Sequence, residues 1–419
     1  MRWLVLLLAA CQGETGTIQL ELTTAPGSAV LDGVQRLRVT LTDPPTVVEA
    51  ARTDAGFDLI LDVEATGTAG TLIVEGFDAG DALVATGSSP PFAVAAINAR
   101  VVVYIAAPFS IAAAPSRLPS ARIGVASTTL TFGFAMAGGE LTDGTRSDAI
   151  FIYNVFDHGL LAGLAMPAPR AFQTLATGNG NVVYLFGGVG SDGAPTGSLW
   201  RFDTNAQPNG SFAVQPDLVE LARSGAPAVT LEPEAFVITG APPIDLDFGT
   251  AVARTDVVEL PPGAAVLVDD RPIAIFGGDP AQRLADDVIA ALPVATAPDA
   301  IATAANGQLV FTTATTGVLV LDPTALDAGT TLDVLSVIRH RPAIAATARH
   351  LVVAGGTDDL GMPIDSADIL DAVTLERIAT VPCVARAGAT AHPLPNGQIA
   401  IVGGEPANDA IELFTPPSL

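Results

Sequence analysis

From about residue 108 onward the chain repeats itself, and no other feature narrows its possible folds as far. Five apolar segments end in paired glycines: Ala135-Met136-Ala137-Gly138-Gly139, Leu185-Phe186-Gly187-Gly188, Ile275-Phe276-Gly277-Gly278, Val353-Ala354-Gly355-Gly356 and Ile401-Val402-Gly403-Gly404. Ile238-Thr239-Gly240 and Phe311-Thr312-Thr313 hold the same place with substitutes. From Gly139 to Gly404 the second positions of these pairs are spaced by 49, 52, 38, 35, 43 and 48 residues. A period of this length belongs to arrays in which each unit is a small sheet that must stack on its neighbours to bury its faces. Glycine at the end of a strand provides positive φ, or room where another backbone approaches.

The clearest copy adds detail. It runs Pro169-Arg170, Asn179-Gly180, Val182-Val183-Tyr184-Leu185-Phe186-Gly187-Gly188 and Ser198-Leu199-Trp200-Arg201-Phe202-Asp203. An Arg opening the first strand, an apolar strand ending in double Gly and a third strand ending in aromatic-Asp resemble the kelch repeat. That resemblance covers the chain from 108 to 419 and implies a six- or seven-bladed kelch-type β-propeller. Asn-Gly pairs at 179, 306 and 396 suit the hairpin between the first two strands of a blade. Third strands are expected to lead from Asp148, Asp256, Asp287, Asp368 and Asp409. The stretch Leu284 to Leu292 has a helical look in isolation, but its place in the repeat assigns it to a strand. The chain ends on a third-strand pattern, Ile411 to Phe414, whereas Phe109-Ser110-Ile111-Ala112 looks like an outer strand. The two ends are therefore expected to complete one blade and remove a free sheet edge.

Residues 16–107 read differently. Thr17 to Leu22, Leu37 to Leu41, Phe57 to Val63, Thr71 to Phe77 and Ala99 to Ala106 alternate apolar and polar residues between Gly, Pro and Asp turns. Short strands with no helical period between them predict an antiparallel Ig-like or transthyretin-like β-sandwich, so the whole chain is all-β. Before it, residues 1–10 resemble a lipoprotein signal peptide: Met1-Arg2, an apolar Trp3 to Leu8, then Leu8-Ala9-Ala10-Cys11 in the manner of a bacterial lipobox. That resemblance implies a lipid on Cys11, a tether over 11–15, and placement at the outer membrane or cell surface, with its periplasmic side also allowed. Gln12 after the cysteine is not an acidic inner-membrane retention residue. The lipid would be the sole membrane attachment, because the longest other apolar run, Val101 to Ala114, is too short for a transmembrane helix.

Composition removes other possibilities. With 44 acidic and 19 basic residues the net charge is -25, and every basic residue is Arg. No bulk basic face exists for nucleic acid. Two cysteines, Cys11 and Cys383, support neither a disulfide framework nor a metal knuckle. The copper oxidases that share the kelch propeller need a Cys-Tyr crosslink, a further Tyr and paired His; His158, His340, His350 and His392 show no paired spacing, and that activity is rejected. The acidic turns Thr142-Asp143-Gly144, Ser191-Asp192-Gly193 and Thr357-Asp358-Asp359 lack the spacing of a calcium loop. No cofactor, metal or catalytic residue is assigned.

One constellation remains. Arg122, Arg170, Arg223, Arg339 and Arg386 each precede the first glycine position of their repeat by 16 or 17 residues, and Asp299 takes the matching place in the fifth copy. Equivalent positions in a propeller converge about one axis. Five guanidiniums at a channel mouth would capture a carboxylate, sulfate or phosphate; alternatively, each Arg braces neighbouring blades through carbonyls or carboxylates. Three functions follow. The first is a lipid-anchored module that binds protein or glycan; the second is a mutarotase-like enzyme on an acidic sugar, with Arg and a carboxylate such as Asp299 or Glu405; the third is a structural envelope protein.

Overall fold

In the computed structural model the described residues are 15–417, apart from 55–56, 58–60, 65–66, 95–98, 233, 248–249, 269–270, 294–299 and 305. Cys11, the signal, tether residues 11–14 and Asp299 lie outside them, and Thr15, expected in the tether, opens the first strand. Strands account for nearly all regular structure among the described residues, with two 3-10 turns at Asn179–Asn181 and Val219–Leu221. No helix of the described residues is long and apolar enough to cross a membrane. The chain divides into two compact units, one reaching to Pro108 and the other running Phe109–Pro417.

The first unit is a β-sandwich. Thr46–Ala51, Arg36–Leu41, Leu72–Phe77 and Leu83–Ser88 form one antiparallel sheet in that order. Leu61–Glu64, Thr15–Thr23 and Ala99–Tyr104 form the other. Alternation decides the packing: in Arg36–Leu41 every second residue (Leu37, Val39, Leu41) is fully buried, and these meet Ile18, Leu61 and Val103 in one core. The expectation of an antiparallel sandwich needs one correction, because Thr15–Thr23 runs parallel to Ala99–Tyr104. Thr46–Ala51 and Leu83–Ser88 escaped the sequence pattern; the first buries no residue fully, so it carries little apolar signal.

The second unit is a seven-bladed β-propeller. Its innermost strands are Ala126–Leu130, Thr174–Thr177, Ala228–Glu232, Gly263–Val268, Ile301–Thr303, Ala343–Ala346 and Ala387–Pro393, opening blades 1 to 7. Each innermost strand contacts the next, and Ala387–Pro393 contacts Ala126–Leu130, which closes the ring. Blades 1 to 6 are four-stranded antiparallel meanders, and blade 7 is a four-stranded antiparallel sheet. Second strands such as Val182–Phe186 and His350–Ala354 are buried at every residue because sheets pack on both their faces. Cores lie between blades: Val183, Leu185, Trp200 and Phe202 of blade 2 pack against Ala135, Ile150 and Ile152 of blade 1.

The closing blade joins both ends of the unit. Ser110–Ala113 pairs antiparallel with Ile411–Thr415, the third strand of blade 7, from Ser110 opposite Thr415 to Ala113 opposite Glu412. Two third-strand expectations fail. In blade 3 the third strand is Ile244–Asp247, so Asp256 falls beyond the fourth strand, Thr250–Ala253. In blade 4 the third strand is Gln282–Ala285, and Asp287 sits in the turn before Val288–Ala291. The third and fourth strands of both blades are four residues each, which brings their turns forward. Leu284 to Leu292 is strand and turn, with no helix.

Candidate functional site

Alternating strand direction puts the second-to-third connections and the linkers entering each first strand at one end of the propeller. The five arginines stand in those linkers, and four of them are buried: Arg339 is 0%, Arg386 1%, Arg122 2% and Arg170 9% exposed. Their guanidiniums turn into their own blades. Arg122 Nη1 donates to Gly138 O (3.0 Å), Arg223 Nη1 to Thr239 O (3.1 Å), Arg339 Nη1 to Gly355 O (2.9 Å) and Arg386 Nη1 to Gly403 O (3.2 Å). The first glycine position thus ends a strand whose last carbonyl is held by the Arg that opened the blade. Arg170 departs from this pattern: its Nη1 donates to Pro169 O, Nε reaches Ser198 Oγ at 3.4 Å, and the guanidinium lies 4.8 Å over the Trp200 ring.

Charge compensation differs around the set. Arg339 donates from all three nitrogens, with Nε and Nη2 both reaching Asp368 Oδ2 and Nη1 also reaching Ser366 O. Asp368 is itself wholly buried and accepts further from Ser336 and Thr380. Arg386 Nη2 donates to Glu412 Oε2 at 2.7 Å. Burial pulls the Arg386 guanidinium below its ordinary value, against the opposing field of Glu412. Burial likewise lowers Arg122, whose charge meets carbonyls, the hydroxyls of Ser120 and Ser147 and the Phe151 ring at 5.4 Å, and it lowers Arg223. For Arg170 the same burial effect is partly offset by Asp217 and Asp192. These groups are spent inside the blades, so the arrangement of Arg122, Arg339 and Arg386 is a brace; a positive ring open to a ligand is not formed.

The bracing has a second half, carried by backbone. Gly139 N donates to Arg170 O (2.9 Å), Gly188 N to Arg223 O (2.7 Å) and Gly356 N to Arg386 O (2.8 Å). Arg223 and Arg386 therefore clamp their own blades through their side chains and the preceding blades through their carbonyls, and Arg170 supplies the carbonyl half. This approach explains the glycines physically: a Cβ on Gly138 would lie 2.3 Å from Arg170 O, and one on Gly355 2.3 Å from Arg386 O. Gly187, Gly188, Gly403 and Gly404 share the left-handed backbone, as do Gly240 and Gly278. Gly277 does not; its N–H bonds Pro262 O in its own first strand region.

Other polar clusters are also internally engaged. His392 Nε2 lies 2.8 Å from Ser127 Oγ and Nδ1 lies 2.9 Å from Thr129 Oγ1, joining the innermost strands of blades 7 and 1. Burial takes the His392 imidazole down to about 4, and Phe134 stacks on its ring at 5.1 Å. His158, bonded through Nδ1 to Tyr153 Oη, is lowered to about 4 for the same reason. Asp143, Asp192 and Asp358 accept from backbone N–H groups of their own hairpins, which accounts for the acidic turns. Among the described residues no group of His, Cys, Asp and Glu is placed to hold a metal ion. Cys383 is half-buried, its thiol pushed up to about 11 by desolvation and by Glu412. It behaves as an inert apolar side chain.

No known family's sequence profile matches the chain, and no curated protein matches it by sequence. Among solved structures, the one titled "Structure of YjhT" aligns at a TM-score of 0.44 and 15% identity, covering 72% of this chain and 95% of that one.

Proposed function

We propose that this chain is a lipid-anchored extracytoplasmic scaffold, kelch-type in its repeats, that binds a protein or glycan on the glycine-turn end of the propeller. One observation carries the proposal: Arg122, Arg339 and Arg386 are buried and engaged in bracing, while a hairpin at that end holds large apolar side chains in solvent. The hairpin of blade 6 is the clearest case. Asp358 Oδ1 accepts from Leu360 N (2.9 Å) and Met362 N (2.8 Å), and Gly361 N donates to Asp358 O. This capped turn holds Leu360 86% and Met362 61% exposed. Neighbouring apolar side chains exposed together are the kind of surface at which a partner docks. Ser127 and His392 do not favour an enzyme: the imidazole is buried, depressed to about 4, and faces a threonine hydroxyl where a carboxylate would be needed. The lipid on Cys11 would hold the scaffold at the outer membrane or cell surface, and the sandwich would carry the ring.

Two experiments test this. Metabolic labelling with a radioactive fatty acid should mark the wild type and leave Cys11→Ser unlabelled and released into the soluble fraction; equal labelling of both would end the anchor proposal. Peptide and glycan arrays probed with the purified chain should return ligands whose binding falls with Leu360→Asp or Met362→Asp. Turnover of a captured ligand would instead establish an enzyme.

A further inference from the structure

The residue two positions after each bracing Arg carries information that the Arg set itself does not. It is left-handed in all five blades that have the Arg: Gly124 (φ 59°), Phe172 (55°), Gly225 (66°), Arg341 (51°) and Gly388 (65°). These residues form a hydrogen-bonded collar, with Phe172 N donating to Gly124 O (2.8 Å), Gly225 N to Phe172 O (2.7 Å) and Gly388 N to Arg341 O (2.8 Å). Three of the five are glycine, as the backbone demands; Phe172 and Arg341 hold full side chains against that preference. A non-glycine residue kept in this region is over-determined by its surroundings, and such positions gather at ligand clamps.

The two exceptions are not scattered. Along the ring the order is Phe172 of blade 2, Gly124 of blade 1, Gly388 of blade 7 and Arg341 of blade 6, so an aromatic and a guanidinium flank two adjacent glycines. Both side chains lean toward that gap. A Cβ on Gly124 would strike the Phe172 ring at 2.6 Å, and one on Gly388 would lie 3.5 Å from Arg341 Nη1. Arg341 Nη2 pairs with Glu405 Oε2 of blade 7 at 3.3 Å, and both remain about half exposed, at 55% and 46%. Farther along the same two innermost strands, the Ser127 and Thr390 hydroxyls bond each other, and Thr390 is exposed.

We infer that this collar sector, between Phe172 and the Arg341–Glu405 pair, is a binding site for an uncharged pyranose ring. The inference deepens the scaffold proposal and rests on it. Phe172, half-buried over Gly124, presents its remaining face for the C–H side of a sugar, and the exposed Gly388 leaves the space next to it open. The ion pair offers paired donors and acceptors for vicinal hydroxyls while carrying no net charge. That neutrality selects the ligand class: Glu405 compensates Arg341, and a chain of net charge -25 repels anions, so an acidic sugar is the poorer fit.

Saturation-transfer NMR and calorimetry on the purified full-length chain would compare methyl glucoside, methyl mannoside and methyl galactoside with free glucuronate. At least one neutral glycoside should bind, and more tightly than glucuronate. Phe172→Gly and Arg341→Gly restore the residue type of blades 1, 3 and 7, so they keep the melting temperature and should weaken binding at least tenfold. Glu405→Gln frees the Arg341 charge and should reverse the preference toward glucuronate. No binding of any neutral glycoside, stronger wild-type binding of glucuronate, or unchanged affinity in both glycine variants would overturn the site. If these sugars fail while an array peptide binds in a Leu360-dependent way, the scaffold proposal stands and this inference falls.

Discussion

The arc of blades 6, 7, 1 and 2 and the arc of blades 3, 4 and 5 close one ring by two different strand endings. In blades 1, 2 and 6 the first glycine is left-handed, and its N–H swings out to the third strand, from Gly138 to Ala149 O, Gly187 to Ser198 O and Gly355 to Ser366 O. In the other arc the matching N–H stays with its own first-strand side, from Thr239 to Pro227 O, Gly277 to Pro262 O and Thr312 to Ala300 O. Thr239 and Thr312 are buried, and each hydroxyl donates to the same carbonyl as its backbone N–H. Where blades 2 and 6 meet an Arg carbonyl of the next blade, Gly240 of blade 3 meets Leu260 O, and Leu260 is fully buried. A buried Arg and a left-handed first glycine therefore come as a pair in blades 1, 2, 6 and 7, whereas blades 3 and 5 carry a buried threonine at that place and blade 4 a Gly277 without the left-handed backbone.

The largest effect expected from breaking this contrast is in blade 6. Removing one partner of the Arg339–Asp368 pair, as Asp368→Ala, strands a charge at 0% exposure and should cost about 3–5 kcal/mol in denaturant unfolding. In the other arc Arg223→Ala loses only bonds to Thr239 O and Pro242 O, and should cost about 1 kcal/mol or less. Equal losses would mean that the two arcs are braced alike.

The glycines offer the next test. Gly355→Ala must fit a Cβ 2.3 Å from Arg386 O at φ 64°, and should lower stability by about 2–4 kcal/mol. Gly277→Ala, lacking a left-handed backbone, should stay within about 1 kcal/mol. Thermal melts of the two variants side by side decide this.

A smaller effect sharpens the picture at the joint of blades 7 and 1. His392 and His158 ionise near 4 when folded against an ordinary value of 6.5, so between those values the unfolded chain binds more protons. Their contribution is complete above pH 6.5 and is lost as pH falls toward 4, at about 2 kcal/mol for each by pH 5. His392→Gln should flatten the acid side of the stability curve by about that amount; an unchanged curve would show that His392 does not report on the joint.

How much of this was legible follows from where side-chain pattern and backbone geometry coincide. The propeller could be read because Val182 to Gly188 combines a fully buried strand with a turn that needs glycine, and the closing blade because Ile411 to Phe414 lacked a partner strand. The sandwich strand Thr46–Ala51 was missed because it buries no residue fully. The spacing of the Arg set was visible, but the direction of its side chains was not: spacing places a residue at an end of the ring, and only the carbonyl geometry shows that it turns inward. Phe172 and Arg341 were missed although a signal existed, since both occupy the position two after an Arg at which Gly124, Gly225 and Gly388 stand. Asp299, expected in the same set, lies outside the described residues.

The pairing of Ser110–Ala113 with Ile411–Thr415 makes the order of synthesis differ from the order of assembly. The strand of the ring that is made first must wait, unpaired, for one of the last, and the intervening blades form before it has a partner. Such a ring gains its final edge in a single late step that joins distant parts of the chain, a slow kind of contact to form. Until then the outer edge of Ile411–Thr415 and the unpaired Ser110–Ala113 are both open to other strands, so the interval between synthesis and closure is one in which mispairing with another copy can occur.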